Sequence, residues 1–198
     1  QPEPKAVGTV FEPDLETLNA MQPQAILVGS RMAEKYDELS HIAPTLDMTI
    51  DTADIYESSK QRLHDLGALF GKSDQAAKLQ QNIDTLIDDT KGVTKDKGTG
   101  LVVMVNGNKL SAYGDKSRYG FIHNVLGVPM ADQQIADASH GQPISFEYIQ
   151  KVNPDWLFVV DRSAAIGEDG IGAKAVLDNP LVAQSTAWSK QQVVYLSP

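Results

Sequence analysis

The chain has 198 residues, 41% of them hydrophobic, which is enough to bury a core in one large domain or in two small lobes. Its net charge of −9 at pH 7 argues against nucleic acid and against an anionic membrane surface as partners, because both require clustered lysine and arginine. The absence of cysteine excludes disulfides and thiolate chemistry, and no apolar run approaches the ~18 residues of a membrane span, so direct membrane insertion is not expected.

Residues 1–51 predict a partial N-terminal lobe. Residues 1–11 are rich in proline and then apolar, which indicates a linker or an entering strand. A helix, a strand, a second helix and a second strand follow with short connections, and the strands are predicted at 25–28 and 46–50. This order is typical of a parallel sheet with crossover helices. Because two strands form a poor sheet in water, we expect missing sequence, the other lobe or a partner chain in a dimer to complete this lobe.

Residues 52–97 predict a helical linker. The helical pattern breaks at a glycine-containing turn, where Ser73 can cap a second helix of ~20 residues, or about 30 Å. A helix of that length between two α/β halves predicts a rigid strut. Lys91, Lys95 and Lys97 near its C-terminal end are interpreted as a solvated face that complements the helix dipole, in preference to an anion site.

Residues 98–198 predict a C-terminal α/β lobe. An asparagine–glycine pair between two β-rich runs is a strong hairpin signal. Ser117 is predicted to cap a helix, and residues 130–142 are polar and irregular. A buried strand is predicted at 156–160, and a glycine-rich loop, short helices and a final strand complete the lobe.

The stretch from Ser117 to Arg162 carries the polar residues that point to function. Arg118 lies at a predicted helix start, His140 in the irregular segment, and Arg162 at the C-terminal end of a strand, where open α/β sheets bind ligands. Residues at such edges usually contact something outside the core. No nucleophile motif, metal-ligand pair or phosphate loop accompanies them, so the stretch predicts a site that holds a ligand rather than one that transforms it.

Several phrases of the sequence resemble a known family. PDLETLNAMQPQAILVGSR resembles a helix–turn–strand repeat of the class III substrate-binding proteins of ABC importers, and ISFEYIQKVNPDWLFVVDR resembles the matching repeat of their second lobe. SRYGFIHNVLGVP, SHGQP and VVDR are most similar to the periplasmic members that bind ferric catecholate siderophores, the enterobactin-like group. The resemblance implies an α/β fold of two Rossmann-like lobes joined by a long helix. It also implies a siderophore in an interlobe cleft, delivered to an ABC importer permease for iron uptake.

The resemblance assigns ligand-binding residues. Arg31, Arg118 and Arg162 match three arginines of the family's cleft, where guanidiniums that stay protonated suit a negatively charged ferric tris-catecholate. Each arginine taken alone could instead belong to a surface ion pair. His140 matches a histidine that can donate an imidazole nitrogen to Fe(III), with a solvated loop histidine as the alternative. The resemblance implies no intrinsic cofactor, since ferric iron arrives as the siderophore complex.

The resemblance also assigns a permease-docking role to Glu16 and Glu147, which occupy equivalent places in the two repeats. Helix-start capping is an alternative that does not exclude docking. Members of the family resembled have a longer first lobe and a further C-terminal segment with an iron-binding tyrosine, and neither has a match in these 198 residues. We therefore expect a truncated chain, an incomplete first lobe and a weakened site. The implied location is the periplasm or, through a lipid anchor, the surface of a Gram-positive cell.

Two other interpretations stay open. The same scaffold could bind a different iron chelate, such as a hydroxamate siderophore, or haem or a corrinoid, although three cleft arginines favour an anionic ligand. Alternatively, an α/β enzyme could use His140 with Asp137 or Asp161 as an acid–base pair. A catalytic triad would need a nucleophile on a tight strand-to-helix turn, and no G-x-S-x-G motif is present.

Overall fold

A computed structural model of the protein describes residues 3–138, 140–162 and 172–196. The chain divides into two compact units, Gln1–Asp51 and Thr52–Pro198. The helices predicted for 52–97 belong to the larger unit, and their role as a linker between lobes stays a prediction.

The first unit is built on two short parallel strands. Its helices and strands are α1 (Leu15–Met21), β1 (Ile26–Val28), α2 (Tyr36–Ser40) and β2 (Thr45–Asp47), with β1 and β2 paired in parallel as the sequence predicts. Arg31 lies in a 3-10 helix, Ser30–Lys35, that precedes α2. Ser30, the first residue of this 3-10 helix, has a positive φ of 53°. This left-handed conformation marks the change of chain direction after β1.

Two helices open the larger unit, α3 (Ile55–Leu69) and α4 (Ser73–Thr94), and they pack against each other. A Cβ atom at Gly67 would lie 2.6 Å from the Cβ of Ala76, so the glycine permits a close approach of the two helices. The hydroxyl of Tyr56 donates to Oδ1 of Asp84 at 2.6 Å across the pair. The capping role predicted for Ser73 is wrong, because Ser73 is the first helical residue and Lys72 holds the cap position.

A five-stranded mixed sheet forms the centre of the larger unit, in the order β5-β4-β3-β6-β7. Its strands are β3 (Gly100–Asn106), β4 (Lys109–Tyr113), β5 (Gln142–Ile144), β6 (Trp156–Asp161) and β7 (Val193–Leu196). β3 and β4 form the predicted hairpin, while β6 runs parallel to both β3 and β7. β5 pairs with β4 and begins at the end of a segment predicted to be irregular.

Short helices cover this sheet: α5 (Phe121–Asn124), α6 (Phe146–Val152), α7 (Ala173–Leu177) and α8 (Thr186–Ser189), with a 3-10 helix at Val182–Gln184. The helix predicted to start at Ser117 begins four residues later, because the chain first makes a turn that ends at Gly120. The side-chain hydroxyl of Ser117 stabilises that turn and not a helix end.

The strands of the sheet separate two hydrophobic cores. Alternate residues of β3 enter opposite faces, as a period of two requires: Leu101, Val103 and Val105 join one core, and Val102 and Met104 join the other. The first core includes residues of α6 and α7. The second contains Ile122 of α5 together with two tyrosines that lie beside the candidate site.

Candidate functional site

Arg118 is held over two buried tyrosine rings. Its Cζ atom lies 5.0 Å from the centre of the Tyr119 ring and 6.0 Å from that of Tyr113, within the range of cation–π attraction. The two rings meet edge to face, with centroids 5.0 Å apart and an angle of 88°. Tyr113 is 2% exposed and Tyr119 is 8% exposed, whereas Arg118 itself is exposed. A rigid aromatic platform therefore presents this guanidinium to solvent.

The turn that carries Arg118 is fixed by local hydrogen bonds. The Ser117 hydroxyl donates to the carbonyl of Gly114 at 2.7 Å and accepts the backbone N–H of Tyr119 at 3.2 Å. A Cβ atom at Gly120 would overlap the carbonyl oxygen of Asp115, so only glycine allows the chain to pass there. The serine and the glycine that flank Arg118 in the sequence thus have defined structural roles.

The segment that carries His140 packs against the same aromatic platform. Gly141 has a φ of +75°, and a Cβ atom there would lie 2.7 Å from the Tyr113 ring. The backbone N–H of Ala136 donates to the side chain of Gln142 at 2.7 Å, which ties the segment to β5. His140 is exposed. Tyr113 therefore contacts both the residue beside His140 and the guanidinium of Arg118.

A small polar pocket separates the Arg118 turn from the His140 segment. Its volume is about 150 Å³, and Tyr113, Asp115, Ser117, Asp137 and Gly141 are among its lining residues. Because Asp137 lines the pocket, this exposed residue lies on the side of its segment that faces the Arg118 turn.

One hydrogen bond connects this segment to helix α6. The hydroxyl of Tyr148 donates to Oδ2 of Asp132 at 2.6 Å. This bond is the largest of the effects that lower the pKa of the Asp132 carboxyl, and the backbone N–H of Gln134 also donates to it. Burial, followed by the same hydrogen bond, raises the pKa of Tyr148. The pair fixes the start of the segment that leads to His140.

Arg162 follows directly on β6 and is exposed. Its neighbour Asp161 pairs in register with Val105, near the carboxyl ends of the two parallel strands β3 and β6. The Asp161 carboxylate accepts the backbone N–H of Ala173, the first residue of α7, at 2.7 Å. This engaged carboxylate does not favour the acid–base role that the enzyme hypothesis gave to Asp161.

Arg31 in the first unit also lies over an aromatic ring, that of Phe11, with its Cζ atom 5.0 Å from the ring centre. Unlike the tyrosines near Arg118, the Phe11 side chain is largely exposed. Phe11 was not predicted from the sequence as a site residue, although an isolated aromatic residue in a proline-rich, polar segment is a signal that could have marked it.

The three predicted ligand arginines share one electrostatic property. Within residues 3–138, 140–162 and 172–196, the salt bridges of the structure involve Lys35, Arg62, His64 and Lys91, and none of them involves Arg31, Arg118 or Arg162. All three arginines are exposed, in a chain whose 26 acidic residues outnumber its 17 lysines and arginines. Guanidiniums that have no carboxylate partner among the described residues are suited to bind an anion.

The two predicted docking glutamates lie in first turns of helices and are exposed. Asp14 caps α1 by accepting the backbone N–H of Thr17 at 2.9 Å, so Glu16 does not hold the cap position. At the start of α6, hydrogen bonds from its own backbone N–H and then from Ser145 lower the pKa of Glu147. Ser145 holds the N-cap position of α6, so Glu147, like Glu16, lies in the first turn of its helix without capping it.

The described residues contain neither a candidate metal cluster nor a candidate membrane-spanning helix. That part of the chain contains no cluster of three or more histidine, cysteine, aspartate or glutamate side chains able to hold a metal ion. Its helices include none with the length and apolar character needed to cross a membrane.

Comparison with known proteins gives concordant matches along the whole chain. The Periplasmic binding protein family matches residues 1–198. The chain is 44% identical over 191 residues to the petrobactin-binding protein YclQ of Bacillus subtilis (strain 168). This match covers 96% of the chain and 60% of YclQ. It is 37% identical over 201 residues to the ferric-anguibactin-binding protein FatB of Vibrio anguillarum (strain ATCC 68554 / 775), with 98% and 62% covered.

Solved structures agree with the sequence matches. The crystal structure of YclQ has a TM-score of 0.86 at 43% identity and covers 96% of this chain and 67% of that one. The periplasmic catecholate-siderophore binding protein VctP of Vibrio cholerae has a TM-score of 0.87 at 30% identity, with 96% and 69% covered. The chain therefore belongs to the Periplasmic binding protein family, and both the predicted family and its α/β fold are confirmed. The chain spans about three fifths of the length of the curated relatives it matches.

Proposed function

We propose that this protein binds a ferric siderophore of the catecholate type and delivers it to an ABC importer for iron uptake. The observation that carries the proposal is the set of three exposed arginines, Arg31, Arg118 and Arg162, that have no salt-bridge partner among the described residues of an acidic chain. The names of YclQ, FatB and VctP support a siderophore as the ligand. They do not favour enterobactin over other siderophores.

The chemistry of the arginines suits this ligand. A ferric tris-catecholate carries its negative charge on oxygen atoms around the metal, and a guanidinium offers several N–H donors that match such oxygens without the possibility of deprotonation. Arg118 is held in place before the ligand arrives, because Tyr113 and Tyr119 fix its position. A cation that is already oriented loses less side-chain entropy on binding.

His140 has a second proposed role in the same site. An exposed imidazole can donate a nitrogen to Fe(III) when the siderophore leaves a coordination position open. In this proposal the iron is cargo, held mainly by the siderophore, and the histidine supplements its oxygen ligands.

Delivery requires a surface that the importer recognises. Glu16 and Glu147 are proposed to dock onto the permease, and their exposed carboxylates at helix starts are accessible for that contact. The hydrogen bonds that the Glu147 carboxylate accepts at the start of α6 are compatible with docking, because a carboxylate has lone pairs for more than one donor. The proposed location is the periplasm or, through a lipid anchor, the surface of a Gram-positive cell.

Fluorescence titration tests the binding proposal. We expect a ferric tris-catecholate to quench the emission of Trp156 and Trp188 at micromolar concentration, and Arg118→Ala together with Arg162→Ala to abolish the quenching. Lys78→Ala is the matched control, since it removes an exposed cation from α4 without touching the site. No quenching of the unaltered protein, or equal loss in the control, would contradict the proposal. Tighter binding of haem, a corrinoid or a hydroxamate complex would favour the alternative ligands.

A further inference from the structure

The turn of residues 8–13 in the first unit is an ordered structure. The Thr9 hydroxyl accepts the backbone N–H groups of Phe11 at 3.2 Å and Glu12 at 3.1 Å, and the Thr9 N–H donates to the carbonyl of Glu12 at 2.9 Å. Gly8 bridges to Pro13 with a φ of +112°, and a Cβ atom there would overlap the carbonyl oxygen of Glu12. These contacts hold the backbone of the turn in one conformation.

This turn presents two large apolar side chains to solvent. Val10 is 72% exposed and Phe11 is 62% exposed. Water does not favour such exposure, and an ordered backbone that displays neighbouring apolar side chains is a feature of binding surfaces.

The exposed ring lies beside a proposed ligand-binding cation. The guanidinium of Arg31 covers part of the Phe11 ring at 5.0 Å, and most of the side chain stays accessible. Lys35, in the same 3-10 helix as Arg31, forms an ion pair with Glu12 of the turn at 3.6 Å. These two contacts connect the turn to the 3-10 helix, so the ring and the cation form one local surface.

We propose that Phe11 contacts the ligand and selects ferric complexes whose iron-binding groups are aromatic. This inference rests on the proposed siderophore-binding function. A catecholate ring offers a planar apolar face and negatively charged oxygens on adjacent atoms. Phe11 packs against the face while Arg31 binds the oxygens, and an aliphatic carboxylate or hydroxamate satisfies only the arginine.

A purely supporting role for Phe11 makes a different prediction. If the ring only orients Arg31, its removal weakens every anionic ferric complex to a similar degree. If the ring contacts the ligand, its removal weakens aromatic complexes selectively. The comparison of an aromatic with an aliphatic ferric complex therefore separates the two roles.

The test uses the full chain with Phe11→Ala, Phe11→Tyr and the neighbouring control Val10→Ala, titrated with a ferric tris-catecholate and with ferric citrate. We expect Phe11→Ala to raise the Kd for the catecholate about tenfold and that for citrate less than about twofold. Phe11→Tyr, which keeps an aromatic ring, should bind within about twofold of the unaltered protein. Arg31→Ala should weaken both complexes.

A direct contact measurement complements the titration. The diamagnetic gallium(III) tris-catecholate should show nuclear Overhauser effects between its ring protons and those of Phe11, and this result decides the question even where ferric citrate binds too weakly to measure. Absence of that effect in a saturated complex, or an equal loss of both ferric complexes in Phe11→Ala, overturns the inference and leaves the proposed function standing. Failure of the unaltered protein to bind the catecholate overturns both.

Discussion

Arg31 and Arg118 illustrate two ways in which one chain holds a cation over an aromatic ring. In the larger unit the rings of Tyr113 and Tyr119 are core residues, and their free faces are covered by the rest of the sheet and by α5. In the first unit the ring of Phe11 is exposed, and the guanidinium of Arg31 lies over it. The buried rings can only position Arg118, whereas the exposed ring has surface left for a ligand.

The difference in burial also predicts that the two tyrosine rings contribute mainly to stability and that the Phe11 ring contributes mainly to the proposed binding. Substitutions of buried rings act on the folded state, because they remove close-packed apolar contacts. Substitutions of an exposed ring act on the complex, because little of that surface is buried before the ligand arrives. The following predictions test this separation, from the largest expected effect to the smallest.

Tyr113→Ala should lower the free energy of unfolding of the larger unit by about 3–5 kcal/mol, the range for loss of a buried aromatic side chain. Phe11→Ala should change the free energy of unfolding of the first unit by less than about 0.5 kcal/mol, as expected for an exposed position. Urea unfolding followed by circular dichroism measures both. Tyr113→Phe is the control, since it keeps the ring and removes only the hydroxyl contact with the Met104 sulfur at 3.6 Å. Equal destabilisation by Tyr113→Ala and Phe11→Ala would contradict the comparison.

Gly141→Ala should destabilise the larger unit by about 2–3 kcal/mol, because the new methyl group would press on the Tyr113 ring and the backbone would be strained. Gly71→Ala is a matched control: its φ is +62°, but open space surrounds its Cβ position, so it measures backbone strain alone at about 1 kcal/mol. A thermal unfolding series gives the two values. Equal values for the two variants would show that a methyl group at position 141 does not clash with the Tyr113 ring. The proposed contact between the His140 segment and the platform would then be contradicted.

Tyr148→Phe should cost about 1 kcal/mol of stability at neutral pH through loss of the hydrogen bond to Asp132. The hydrogen bond lowers the folded-state pKa of Asp132 below its ordinary value of 3.8. Its contribution is therefore present above pH 3.8 and is lost as the pH falls through the lower folded-state pKa. Unfolding measured between pH 2 and 7 should show the variant and the unaltered protein converging at the acid end. A constant difference at every pH would contradict this origin.

The smallest expected effect comes from His123 in α5, the helix next to the Arg118 turn. This histidine should make the free energy of unfolding decrease at acid pH. Burial lowers its pKa below the ordinary 6.5, its Nδ1 atom pairs with the carbonyl of Val128 at 2.8 Å, and its buried Nε2 atom has no hydrogen-bond partner among the described residues. The unfolded chain binds a proton first, so stability falls as the pH drops below about 6.5 and levels off below the folded-state pKa.

The His123→Gln variant serves as the control for this acid sensitivity. It should show a shallower dependence of stability on pH between 4 and 7 than the unaltered protein. An identical slope in both proteins would assign the acid sensitivity to other groups.

The sequence predicted the parts of the fold that local pattern controls. The β3–β4 hairpin followed from an asparagine–glycine turn between apolar runs, and the α3 and α4 helices followed from apolar spacing. The family followed from short phrases whose order is specific. Helix and strand ends were less accurate, because Ser73 and Ser117 have suitable side chains for capping but the chain turns differently at each position.

The aromatic contacts of the candidate site could not be predicted in the same way. Phe11 and Arg31 are twenty positions apart and meet only because a hydrogen-bonded turn and a 3-10 helix lie side by side. Asp161 and Ala173 are twelve positions apart, and the sequence pattern does not specify the hydrogen bond between them. Arg118 and Arg162 were identified from their positions at the edges of predicted elements and Arg31 from the family resemblance, and the function of all three in this chain stays a proposal.

The alternation of side chains along β3 connects the aromatic platform to the opposite core of the sheet. Val102 and Met104 support the aromatic platform on one face, while Leu101 and Val103 anchor the opposite core, so a one-residue insertion in this strand would exchange the two sets. Point changes at exposed positions leave that arrangement untouched. Under the proposed function, exposed side chains beside the platform can be substituted without disturbing this packing, provided that the length of this strand is kept.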